Sequence, residues 1–169
     1  MYSYHGLIGE QIPLATGFVL ATRRPGVVYF GDAASEEDYA LTTFGFAATH
    51  RLPVLFVCED NDLSILTPSK DRRNWNVYDV AASMGLAVAN IEDDPSTIHR
   101  TVSGLLEQLP AFVNIKTCRH FWHAGIGMDG PPRRDRLREY ADTVPGAESI
   151  ERQAEMDMER LWHERLPRP

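Results

Sequence analysis

Four short apolar runs punctuate the first part of the chain: "GVVYF" over 26–30, "PVLFVC" over 53–58, "GLAVANI" over 85–91 and "AFVNIKT" over 111–117. Their apolar residues are nearly continuous, not alternating, which predicts strands covered on both faces. The segments 9–24, 35–50, 76–85 and 94–109 between them carry helical patterns. Ser35, followed by acids that suit the helix dipole, predicts a helix start. Asp94-Pro95 predicts another, with an N-cap and a proline at the first helical position. Gly26 and Gly85 stand where helices should end and strands begin. This alternation predicts an α/β fold, a doubly wound parallel sheet with helices on both faces.

After Thr117 the pattern breaks into "CRHFWHAGIGMDGPPRRDR", whose Gly, Pro and Arg content predicts an exposed loop. "GAESIERQAEMDMERLWHERL" then predicts a C-terminal helix with Ile150, Ala154, Met158 and Leu161 on its apolar side and Trp162 beside them. The expected organisation is a domain over 1–130 and an extension over 131–169 whose helix packs on the domain or on a partner.

Composition narrows the function classes. A chain of 169 residues with 43% hydrophobic and 24% charged residues has the make-up of a globular domain. A formal net charge of -7 argues against nucleic acid or an anionic membrane as the main partner. Two cysteines, Cys58 in an apolar run and Cys118 beside basic residues, suggest no disulfide framework. With no apolar stretch long enough to span a bilayer and no secretory signal pattern at the start, a reducing cytoplasm is the expected compartment.

Asp32 follows the first apolar run and Asn61 the second. In open parallel sheets ligands bind at the carboxyl ends of strands, and sequential strands are commonly neighbours. A carboxylate and an amide oxygen at one edge form a hard, oxygen-only ligand set of the kind Mg²⁺ takes together with phosphate oxygens and water. "GDAAS" leads toward a helix N-terminus, whose free amides favour an anion. These features read as a metal-diphosphate site. A turn or cap role explains the same Asp and Asn, so both readings stand on these two residues alone.

The stretch "GDAASEEDYALTTFGFAATHRLPVLFVCEDND" resembles the thiamine-diphosphate motif, "GDG" followed by a helix, a strand and "NN", of the alpha subunits of 2-oxo acid dehydrogenases. "HGLIGEQIPLATG" is similar to the family segment whose backbone holds the aminopyrimidine ring, and "VNIKTCRHFWHAGIGMD" to its last strand and histidine-bearing loop. The likeness runs from about His5 to Asp129 with the motifs in order. It implies thiamine diphosphate and Mg²⁺ as cofactors. Asp32, Asn61 and the Leu63 carbonyl would complete the Mg²⁺ shell, and Gly31, Ala33 and Ala34 would line the diphosphate. Gly6 and Ile8 would contact the aminopyrimidine through their main chain. His123 would be the loop histidine near the diphosphate and the candidate catalytic residue, with Arg119 ordering that loop. In such enzymes the coenzyme carries the carbon–carbon bond chemistry, while the protein supplies orientation and charge.

Departures from the family pattern are as informative. Ala33 replaces the second motif glycine, so the turn must avoid positive φ or carry strain. Thr42 and Gly45 stand where the family has Glu and Asn, and Asp60 where it has the first Asn of the pair. Leu63 replaces a tyrosine, while Trp122 and Ala124 replace the Gly and Ser around the loop histidine, removing the family's phosphorylatable serine. The resemblance covers the diphosphate-binding half only. It therefore implies a separate pyrimidine-domain (beta-like) subunit, in a heterotetramer, and a lipoyl or acyl carrier protein as acceptor. Two reactions fit: decarboxylation of a 2-oxo acid with acyl transfer, and transketolase-like movement of a two-carbon unit from a ketose. A non-catalytic assembly or regulatory domain is the reading from another class.

Other signals weigh less. "GIGMDG" matches G-x-G-x-x-G formally but neither leaves a strand nor enters a helix, so a dinucleotide site is not expected. His120 and His123 lack further ligands for zinc. "RRDRLRE" reads as a solvated basic face or a partner surface, and Met156, Met158 and Trp162 as core or interface residues.

Overall fold

A computed structural model describes residues 6–119 and 134–166. The chain divides into two compact units, Met1–Arg133 and Arg134–Pro169.

The first unit carries α1 (Gln11–Thr22), β1 (Gly26–Gly31), a 3₁₀ turn (Ala33–Glu36), α2 (Asp38–Thr49), β2 (Val54–Asp60), β3 (Leu63–Ser64), β4 (Thr67–Pro68), α3 (Ser69–Arg72), α4 (Val77–Ser83), β5 (Ala87–Glu92), α5 (Pro95–Leu106) and β6 (Ala111–Lys116). Four strands form a parallel sheet in the order β1-β2-β6-β5, and β3 and β4 make a small antiparallel hairpin. The sheet and its helices bear out the α/β expectation. The hairpin and α3 escape the sequence pattern because two-residue strands and a four-residue helix are too short to show a period.

Each central strand feeds two cores, because its side chains alternate between the faces. Ile12 and Val19 of α1, Ala40, Phe44 and Ala47 of α2, and Val77 and Ala81 of α4 cover Val28, Phe30, Val54, Phe56 and Phe112 on one face. On the other, Ile98, Val102 and Leu105 of α5 cover Leu55, Val57, Val113 and Ile115. Phe44 joins the layers, with its ring centroid 4.9 Å from Phe56, 5.4 Å from Phe112 and 6.0 Å from Phe30.

β2 and β6 are buried along most of their length, as continuous apolar runs should be. β1 departs from that expectation. Val28 and Phe30 are buried, whereas Val27 (46% exposed) and Tyr29 (62%) face outward from the opposite side. β1 is the outermost strand, and α5 covers β5, β6 and β2 without reaching it.

Three local expectations change. Ser35 does not cap α2; it is fully buried in the 3₁₀ turn, where its hydroxyl donates to the Asp32 carbonyl. α2 begins only after an extended Glu37, so its N-terminus does not follow directly from the "GDAAS" turn. Gly26 does not end α1, whose left-handed terminal residue is Arg23 (φ 57°). Gly26 instead permits close packing, since a Cβ there would lie 2.5 Å from Val19 Cγ2. Gly85 (φ +96°) and the Asp94 cap, whose carboxylate accepts from Thr97 N at 2.7 Å, match their expected roles.

The second unit holds α6 (Arg136–Ala141) and α7 (Ala147–Arg165). Arg136–Glu139 of "RRDRLRE" fall in α6 with Asp135 as its cap, and Arg138 pairs with Glu151 of α7 at 2.8 Å. Ile150, Met156, Met158, Leu161 and Trp162 are exposed, so the core reading for these methionines and Trp162 is not met. No described residue of this unit is buried, because the hydrophobic content of two helices alone is too small to close a core.

Truncating Phe44 to Ala removes the ring that binds α2 to three strands. It should lower stability by about 3–5 kcal/mol, read from the midpoint of urea unfolding followed by circular dichroism.

Candidate functional site

The register of β1 on β2 pairs Gly31 with Glu59. The residues that leave these strands, Asp32 and then Asp60 and Asn61, therefore emerge side by side at the carboxyl edge of the sheet, about 5 Å apart from strand to strand. Asp32 has helical dihedrals (φ -56°, ψ -40°), and Ala33 begins the 3₁₀ turn. Ala33 is absent from the residues with positive φ, so the turn accepts alanine where the family pattern has glycine without strain.

Asp32 is a buried carboxylate at 2% exposure, which demands a countercharge. That countercharge is Arg72, from the end of α3, whose Nη2 lies 2.5 Å from Asp32 Oδ2. Ser69 Oγ donates to the same oxygen at 3.1 Å. Arg72 also donates from Nε to both oxygens of Glu36 at 3.2 Å, and from Nη2 to Glu36 Oε1 at 2.9 Å. Its Nη1 donates to the Thr67 carbonyl. Arg73 Nε reaches Glu36 Oε1 at 3.2 Å, and its guanidinium sits over the Trp75 ring at 5.2 Å. Two acids and two guanidiniums thus balance across the 3₁₀ turn and α3. Burial by itself would depress the Arg72 guanidinium, but its hydrogen bonds to Glu36 and Asp32 outweigh it and hold it above its ordinary value. No periodic pattern marks "SKDRR" as part of this edge; the only sequence signal is paired arginines close after the Asn61 turn.

Asn61 turns its side-chain oxygen back onto the Leu63 amide at 3.0 Å, an Asx turn that starts the β3–β4 hairpin. Asp60 does the same for Asp62 N at 3.0 Å. Its other oxygen accepts from Asn114 Nδ2 at 3.2 Å, and the same amide donates to Asn90 Oδ1 at 3.0 Å. Asn114 is fully buried on the central strand β6. A polar residue inside "AFVNIKT" was visible in the sequence, but its partners on β2 and β5 depend on strand order.

The N-terminal segment lies against the same turn. Tyr39 Oη donates to the Ile8 carbonyl, and a Cβ on Gly9 (φ +80°) would meet the Ala34 carbonyl at 3.0 Å. Ile8 is therefore next to the Asp32 turn, with its carbonyl already engaged, while Gly6 is exposed. Arg119 donates to the Ile65 carbonyl in the hairpin. His123 lies outside the described residues, as do His120 and the "GIGMDG" segment. The structure thus brings Gly31, Asp32, Ala33, Ala34, Asn61 and Leu63 to one sheet edge, with Ile8 and Arg119 on neighbouring segments. It turns the Asp32 carboxylate to Arg72 and Ser69, and the Asn61 oxygen to Leu63. Among the described residues no group of three or more His, Cys, Asp or Glu side chains could hold a metal ion, so any cation here needs amide and carbonyl oxygens as well.

A parallel α/β sheet with a buried acid and an amide at the carboxyl ends of adjacent strands defines a class of ligand-binding domain. The chain belongs to the dehydrogenase E1 component family, whose model matches residues 1–102, more than half of its length. It is 24% identical over 161 residues to the pyruvate dehydrogenase E1 component subunit alpha of Rickettsia bellii (strain RML369-C), covering 88% of this chain and 48% of that protein. It is 40% identical over 68 residues to the mitochondrial 2-oxoisovalerate dehydrogenase subunit alpha of Caenorhabditis elegans, covering 37% of this chain and 16% of the other. The crystal structure of transketolase from Campylobacter jejuni subsp. jejuni NCTC 11168 shares the fold, with a TM-score of 0.63 at 20% identity, covering 66% of this chain and 20% of that one. The chain spans about half, or less, of the length of these relatives.

Cys58, on β2 just before this edge, gives a pH test of the site's burial. Burial, then the charges of Asp60 and Asp32, push its thiol well above the ordinary range, so it stays neutral in the fold. A folded pKa raised above the unfolded one contributes stability at neutral pH that is lost as pH rises past about 8.5. Stability should therefore fall between neutral pH and about pH 10, less steeply in Cys58→Ala. A thiol reagent should label Cys58 only after denaturation.

Proposed function

We propose that the chain is the diphosphate-binding subunit of a two-component thiamine-diphosphate-dependent enzyme, alpha-like among the 2-oxo acid dehydrogenases. The observation that carries the reading is Asp32 and Asn61 at the ends of adjacent parallel strands, within a chain that belongs to the dehydrogenase E1 component family. The donor set fits a hard divalent cation: Asp32 carboxylate, Asn61 amide oxygen and Leu63 carbonyl are all oxygens. The Asp32 carboxylate is buried and already faces a positive charge, so the edge is built to hold one. When bound, the coenzyme supplies the chemistry that cleaves a bond next to a carbonyl and carries the fragment onward.

This chain's own residues would bind and orient. Asp32, Asn61 and Leu63 would hold Mg²⁺, Gly31, Ala33 and Ala34 would line the diphosphate, and Gly6 and Ile8 would border the aminopyrimidine. Arg119 and His123 would close the diphosphate side, with His123 as the catalytic candidate. Residues 1–130 would form the binding domain and 131–169 an extension that packs on the domain or on a partner. Within its own unit α7 leaves Ile150, Met158, Leu161 and Trp162 uncovered, an apolar side for the domain or a partner to cover. The partner is a separate pyrimidine-domain subunit, with a lipoyl or acyl carrier protein as acceptor, and the compartment is cytoplasmic. No helix among the described residues is long and apolar enough to cross a membrane.

One observation favours a second reading, a non-catalytic domain: the Asp32 carboxylate is engaged by Arg72 and Ser69. Asp32→Ala separates the two. The catalytic reading expects the complex purified with its partner to lose coenzyme and activity together; unchanged coenzyme content and activity would leave the assembly role standing. Product analysis of the active complex then distinguishes a decarboxylase, which releases CO₂, from a ketose-dependent transferase, which leaves an aldose.

A further inference from the structure

We propose that Arg72 is an internal competitor of the metal: its guanidinium holds Asp32 Oδ2, and a divalent cation that takes this carboxylate displaces it toward Glu36, which it already contacts. The inference rests on the metal-site reading above and adds a residue that reading does not use. Asp32 Oδ2 holds Arg72 through Nη2 alone, at 2.5 Å. Glu36 holds Arg72 through Nε and Nη2 together, at 2.9–3.2 Å. Losing the Asp32 contact therefore leaves the guanidinium with a forked partner, not stranded. Ser69 Oγ bridges the exchange, since it donates to Asp32 Oδ2 and accepts from Arg72 Nη2 at 3.0 Å. A guanidinium and a dication cannot share one carboxylate oxygen at contact distance without strong repulsion. Arg72 remains charged across the accessible pH range, so its hold on Oδ2 is relieved by displacement and not by deprotonation. Arg73 carries the same charge at the next position but contacts Glu36 and Trp75, with no hydrogen bond or ion pair to Asp32, and so provides an internal control.

The test uses the full chain without coenzyme and Mn²⁺ as the probe, with free Mn²⁺ read by electron paramagnetic resonance. Arg72→Met should tighten Mn²⁺ binding by about tenfold or more, the worth of one charged hydrogen bond removed from competition. Arg73→Met, with the same change in net charge, should tighten it by well under half of that on a logarithmic scale. Asp32→Asn should abolish binding. Thermal unfolding should agree: Arg72→Met melts lower than wild type without metal, because Asp32 is left unpaired, and Mn²⁺ restores it. Should Arg72→Met not fold, Glu36→Gln against Glu37→Gln makes the same comparison. Removing the guanidinium's second partner commits it to Asp32 and should weaken Mn²⁺ binding more than the neighbouring charge loss does. Equal effects of Arg72→Met and Arg73→Met, or of the two Glu variants, with binding still abolished by Asp32→Asn, would overturn the competitor role and leave the metal site intact. No Mn²⁺ binding in wild type and Arg72→Met alike, with inorganic pyrophosphate absent and then supplied at a concentration equal to the protein, would overturn both.

Discussion

The parallel pairing of β1 on β2 is the constraint from which the rest of the site follows. With Gly31 beside Glu59, two chain segments that are distant in sequence leave the sheet together, one carrying Asp32 and the other Asp60 and Asn61. A slip of one residue would turn Val28 and Phe30 out of the core and carry Asp32 away from its partners. The aromatic cluster around Phe44 opposes such a slip, because rings from α2, β1, β2 and β6 interlock at centroid distances of 4.9–6.0 Å. Packing on one face of the sheet therefore fixes electrostatics at its edge.

The edge itself is organised by charge balance. A carboxylate as buried as Asp32 is tolerated only with a cation against it, and α3 delivers Arg72 for that purpose. Glu36, one turn along from Asp32, holds Arg72 and Arg73 together, so a short helix that has little reason to form alone is fastened at its C-terminal end. On the other side, Asp60 is anchored through Asn114 to Asn90, a polar line running across three strands to β5. The two acids at adjacent strand ends thus have different supports: one ionic, the other a chain of neutral amides.

How much of this was legible in the sequence depends on the range over which each signal acts. The four strands and four main helices are written in local periodicity and caps, and Asp94-Pro95 marks its helix start correctly. Asp32 and Asn61 were legible because a strand end is a local feature and their strands are consecutive. Arg72 was not, since its partners lie 36 and 40 positions away and "SKDRR" looks like a solvated charge run. Ser35 misled for a related reason: serine before acids signals an N-cap, but the buried 3₁₀ turn recruited its hydroxyl to the Asp32 carbonyl. β1 read as covered on both faces because a run of valine and aromatics looks the same on an edge strand as on a central one.

That edge strand has a consequence for how the chain behaves in solution. β1 ends the sheet with no strand beyond it among the described residues, and Gln11 Nε2 donates to the Tyr29 carbonyl at 3.3 Å as a light cover. Val27 and Tyr29 stand beside that open row of amides and carbonyls without the charges or prolines that usually discourage pairing. A surface of this kind is a template for further strand addition and a weak point in crowded solution. Concentration therefore bears on the solubility of this fold as directly as its own core does on its stability.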